Sequence, residues 1–97
     1  MKIKNVSMAE FKNFVLSQPD DRMIDFDYKS TEDLGCPLVH FTRNKFKRKV
    51  TSAGWFTTET DRHLVIFDDN IRLFMQPIMV QNVTTYKRVK TLIQKSL

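Results

Sequence analysis

The sequence predicts an α+β domain, a small antiparallel β-meander of about three strands packed against about three helices. Three observations lead there. Apolar residues recur at helical spacing in residues 8–17 and again in 84–96. The middle of the chain, residues 50–75, is rich in β-branched and aromatic residues broken by turn chemistry. The 97 residues contain two glycines and no repeat, low-complexity tract or linker, so residues 1–97 read as a single domain.

The first helix is expected over Met8 to Ser17. Ser7 followed by Glu10 spells a capping box, in which the hydroxyl serves an orphan amide and the carboxylate reaches back. Val6 can staple onto Phe11, and Phe11, Phe14 and Val15 share one face before Pro19 stops the helix. Asp20 to Asp33 follows, with six carboxylates against Arg22 and Lys29. Within it, Ile24, Phe26 and Tyr28 alternate with acids, which fits a short edge strand with those three inward, or an ordered loop.

A second helix begins between Thr31 and Pro37, with Pro37 suited to the first turn, and runs to about Phe46. Three strands are then expected: Val50 to Thr58 with a bend or bulge at Gly54, His63 to Phe67, and Ile71 to Met75 after the turn Asp68-Asp69-Asn70. Pro77 limits the third strand or places it at an edge. The last element is a basic amphipathic helix over Thr84 to Ser96. Val83, Tyr86, Val89, Ile93 and Leu97 lie on one face, and Lys87, Arg88, Lys90 and Lys95 on the other.

Composition narrows the function. The net charge is +5 and the pI about 9.6, which favours acidic partners. One cysteine, Cys36, excludes an internal disulfide and points to a reducing cytoplasm. No signal-peptide core or membrane-length apolar run occurs, so no membrane association is expected.

Cys36 and His40 are spaced to share a helical face, as a nucleophile and its base would. No Asn, Asp or Glu stands at a spacing that would orient the imidazole, and no Gly-rich oxyanion loop follows, so a core role is preferred. One cysteine and two histidines do not complete a zinc set. Asp20, Asp21, Asp25 and Asp27 lack the Gly and terminal Glu of a calcium loop. No phosphate-cradling or zinc-protease motif is present. The expectation is a protein without catalytic residues, metal or cofactor.

Two basic stretches remain. In Arg43-Asn44-Lys45-Phe46-Lys47-Arg48-Lys49, five of seven residues are cationic. At a helix C-terminus the macrodipole already favours such charge, by about 0.3–1 kcal/mol per cation, so a solvated helix end accounts for it without a ligand. Phe46, Trp55 and Phe56 could stack on bases, but each also fits a core position. The acidic segment either neutralises the basic ones within the fold or completes a bipolar surface suited to docking a protein.

The stretches "QPDD", "IDFDY" and "DLGCPLVHF" carry a resemblance. Over about a third of the chain, from Phe11 to Phe46, the sequence resembles small uncharacterised accessory proteins of bacteriophages and prophages. Those proteins often have an aromatic-rich helix, a Gln-Pro turn and a Cys-Pro-Leu or Cys-x-Leu helix start. His40 stands where they often carry Gln, and the downstream half departs from the pattern. The resemblance brings no catalytic residue with it. It implies a phage-type gene product in the bacterial cytoplasm, of a kind that often inhibits or modulates host machinery, including defence systems.

The expected function is therefore a non-enzymatic phage-type accessory protein that binds and modulates or inhibits a host protein complex. Its contact candidates are Arg43, Lys45, Lys47, Arg48 and Lys49, then Lys87, Arg88 and Lys90. One alternative is a nucleic-acid-binding protein using the same cations, with steeply salt-dependent affinity. Another is a self-assembling structural or virion-assembly component using exposed apolar residues in Ile71–Met75 or Met75–Val80.

Overall fold

The computed structural model of the chain describes residues 1–26, 35–54 and 56–95. The elements run β1 (Lys2–Val6), α1 (Met8–Leu16), α2 (Pro37–Phe46), β2 (Ser52–Ala53), β3 (Thr57–Glu59), β4 (His63–Phe67), α3 (Asp69–Val80) and α4 (Tyr86–Lys95). The class is α+β, as the residue patterns imply. The sheet, however, is four-stranded and mixed, in the order β1-β4-β3-β2, with β1 parallel to β4 and the other neighbours antiparallel.

Local chemistry explains most boundaries. Ser7 Oγ accepts the Glu10 amide at 3.2 Å, which caps α1. Only that half of the capping box forms, because the Glu10 carboxylate turns to Lys4 and Lys45 instead. Pro37 opens α2 at its first turn, where no intrahelical N–H is needed. Lys47 closes α2 in the left-handed region (φ 54), its amide donating to the Arg43 carbonyl at 2.9 Å.

One hydrophobic cluster joins all four helices to one side of the sheet. Phe11, Phe14 and Val15 of α1 meet Leu38 and Phe41 of α2, Ile71, Met75 and Ile78 of α3, and Tyr86, Val89 and Ile93 of α4. Val6, Val65 and Phe67 supply the sheet's part. Because strand side chains alternate, Leu64 and Ile66 point the other way and are half-buried. Ile3, opposite Leu64 in the β1–β4 register, is 64% exposed. The sheet therefore has one face covered by helices and one open face among the described residues.

Several expectations need correction. The third strand, Ile71–Met75, is helix, the first half of α3. Five residues fit both periods, but Ile71, Met75 and Ile78 recur at i, i+4, i+7 and all three are buried. Pro77 sits inside α3 rather than ending a strand. The carbonyl it leaves without a helical donor belongs to Leu73, an exposed residue that solvent can reach.

The stretch from Val50 to Thr58 holds two strands, β2 and β3, folded back at Gly54, whose amide donates to the Thr57 carbonyl at 2.8 Å. A Cβ at Gly54 would lie 3.3 Å from Thr57 Oγ1, so the small residue suits the bend. Strand β1 went unforeseen. Its apolar Ile3 lies on the open face, while Lys4 shares the helix-facing side with Val6 and reaches Glu10 of α1 at 3.1 Å.

The suggested strand near Met23 is reduced to one bridge, Met23 to Thr85. Ile24 is buried and Phe26 packs against the core, as expected of the inward side, and Tyr28 lies outside the described residues. Phe56 is 46% exposed rather than a core residue, and Trp55 lies outside the described residues.

Candidate docking surface

The basic stretch lies where its sequence suggests, at the C-terminal end of α2. Arg43 and Lys45 occupy the last turn, Lys47 caps it, and Arg48 and Lys49 lead into the sheet. Phe46 does not project as a stacking platform. It is half-buried and stacks on His63, with ring centroids 3.9 Å apart and planes at 21°.

Carboxylates are interleaved with these cations. Glu10 bridges Lys4 and Lys45, at 3.1 and 3.0 Å. Burial pulls its carboxyl upward, but the two lysines together outweigh that and hold it below the usual carboxylate range. Arg48 grips both oxygens of Asp61, at 3.3 and 3.0 Å. Neither acid comes from the acidic segment. From that segment Asp20 pairs with Lys90 at 2.8 Å, and this lysine's hydrogen bond and charge lower the Asp20 carboxyl. Lys47, Lys49, Lys87 and Arg88 are exposed and make no ion pair among the described residues.

The two basic stretches are not brought together. The start of α4 lies beside the first turn of α2, where Tyr86 meets His40. Lys47 is at the other end of α2, seven residues or roughly 10 Å of helical rise further on.

Cys36 and His40 are adjacent at the start of α2, with the His40 amide donating to the Cys36 carbonyl at 3.0 Å. The imidazole is fully buried and its Nδ1 is hydrogen-bonded to the Tyr86 hydroxyl at 2.8 Å. Burial pushes the Cys36 thiol up, and the backbone amides of the helix start offset this only in part. That disfavours the thiolate a nucleophile needs. Tyr86 is the residue that reasoning along the chain missed, because its partner lies 46 positions away.

Among the described residues, no group of three or more His, Cys, Asp or Glu side chains is placed to hold a metal ion. No described helix is long and apolar enough to cross a membrane. No protein-family model, curated protein or solved structure matches this chain.

Proposed function

We propose that the protein is a non-enzymatic, phage-type accessory protein that docks on a protein complex of its bacterial host through the C-terminal end of α2 and blocks or modulates it. The observation that carries this reading is Lys47. A non-glycine residue in the left-handed region costs on the order of 1 kcal/mol, so glycine would be the more stable choice there. The position instead holds an exposed cation outside any ion pair among the described residues. Strain kept at an exposed, charged position supports a contact role for Lys47.

The interleaving of Glu10 and Asp61 with the cations supports a protein partner over a nucleic acid. A phosphate backbone would meet those carboxylates, whereas a protein surface can match both signs and gain orientation from them. Arg43, Lys45 and Arg48 then shape the rim, Lys47 and Lys49 make the contact, and Lys87, Arg88 and Lys90 form a separate secondary group.

Two variants test this. Lys47→Gly should stabilise the fold by about 0.5–1 kcal/mol, read as a higher urea midpoint, while weakening partner capture. Lys47→Glu with Lys49→Glu should leave the urea midpoint near wild type and abolish capture of a discrete protein from nuclease-treated bacterial lysate. Capture that survives the double reversal, or that disappears for the wild type once nuclease is added, overturns the reading.

A further inference from the structure

A second surface lies between α3 and α4, away from the end of α2. The two helices enclose a groove of about 360 Å³, walled by Phe74, Pro77 and Ile78 on one side and Leu92 on the other, with Gln81 and Lys95 at its margin. Ile78 is buried, while Phe74 and Leu92 are half-buried and form the groove's apolar walls. Beside it, Leu73 is 52% and Val80 83% exposed. These two flank Pro77 on one row of α3, at spacings of four and three residues. The groove and the exposed apolar ridge along one wall together offer an apolar surface that a partner could cover.

Charge selects the occupant. α4 carries no Asp or Glu, and Arg88, Leu92 and Lys95 fall on one row of it at i, i+4, i+7. Arg88 and Lys95 make no ion pair among the described residues. Asp69, the acid of α3, is already held by Arg72 at 2.8 Å. The groove is thus apolar along its floor, with Lys95 at its margin and Arg88 one turn from Leu92 along the same row of α4. A second copy of the chain is a poor fit, because a two-fold contact would bring those cations toward their own equivalents. The length of α3 and α4, roughly 15–18 Å, matches about three turns of a helix laid between them.

We infer that the α3–α4 groove receives an amphipathic helix of a partner protein, with its apolar stripe on Phe74, Pro77 and Leu92 and acidic residues against Arg88 and Lys95. This rests on the docking reading only through Arg88. The variants below leave Lys47 and Lys49 intact, so the two proposals can fail separately.

The test uses the whole protein, labelled with ¹⁵N, and a panel of amidated helical peptides of about twelve residues. These carry Leu or Ile at alternating third and fourth positions and Glu on the flanking rows, and a matched panel carries Lys in place of Glu. The Glu peptides should shift the amides of residues 73–76, 78–81 and 88–95, and the Lys peptides should not. Lys95→Glu and, separately, the surface change Leu73→Asp should each weaken Glu-peptide binding by about tenfold or more, with thermal melts near wild type. Four results overturn the inference. They are no shift in the groove at millimolar peptide, equal shifts from both panels, groove shifts that depend on protein concentration alone, and groove broadening on anionic phosphatidylserine vesicles without any response to the Glu peptides. The last two would identify self-association or a lipid surface as the occupant.

Discussion

Phe41→Ala should destabilise the protein by about 3–5 kcal/mol, a large share of the roughly 5–15 kcal/mol that a domain of this kind has. Phe41 is the ring through which α1, α2 and the sheet meet. Its centroid lies 5.4 Å from Phe14 and 6.4 Å from Phe11 on α1, and 5.7 Å from Phe67 on β4. The contacts with Phe14 and Phe67 are edge-on, at 79° and 75°, the arrangement that aligns a ring's positive edge with a neighbour's negative face. Alanine would leave a void bounded by three rings on two separate elements, which cannot all move in to fill it. A melt followed by circular dichroism should shift down by more than about 12 °C. Phe41→Leu, which keeps most of the volume, should cost far less. A small effect from alanine would mean that the rings do not pack as described.

The second large effect belongs to the buried pair of His40 and Tyr86. Tyr86→Phe keeps the ring in place but removes the hydroxyl that is hydrogen-bonded to His40 Nδ1, which should cost about 1–3 kcal/mol. The cost arises because a buried hydrogen bond is lost while the imidazole stays desolvated. This holds whichever of the two groups carries the shared proton. The double variant His40→Leu with Tyr86→Phe should therefore be more stable than the sum of the single losses predicts, and a double-mutant cycle measures that difference.

Tyr86 also sets an alkaline limit. Burial raises the Tyr86 phenol above its ordinary value of 10.0; the charge of Arg22 opposes the shift and the Cys36 thiolate adds to it. Above that value the unfolded chain gives up a proton that the folded chain keeps. The unfolded state then binds fewer protons, and stability falls as pH rises. The contribution is complete below pH 10.0 and is lost progressively above it. Cys36, raised from 9.0 by burial, acts with the same sign from about one pH unit lower. Urea midpoints measured from pH 8 to 11 should fall in the wild type, and the fall should be shallower in Tyr86→Phe. An equal slope in both would remove Tyr86 as its source.

Much of the helical framework was legible because its signals are local. Ser7 and the spacing of Phe11, Phe14 and Val15 define α1, Pro37 starts α2, and the alternation of cations with Tyr86, Val89 and Ile93 defines α4. The errors came where local signals conflict with long-range ones. Ile71 to Met75 is too short to separate the two periods, and the deciding residue, Ile78, lies beyond it. In β1 the visible apolar residue, Ile3, faces away from the helices, so its alternation points the wrong way. At the candidate surface, the position of the cations was readable but their ion pairs were not. Glu10 is 35 residues from Lys45, and Asp61 is 13 from Arg48. Only the folded chain shows which lysines those acids leave unneutralised.

The parallel pairing of β1 with β4 also shapes how the protein is made. Lys2 to Val6 finds its partners at His63 to Phe67, roughly sixty residues later. At synthesis rates of about 5–20 residues per second, β1 waits roughly 3–12 s for the strand that holds it. In that interval Ile3 and Val6 have no sheet to join, and an unpaired strand edge is prone to pair with other chains. Lys2 and Lys4, set on either side of Ile3, put like charges on that strand, which opposes edge-to-edge pairing of nascent copies.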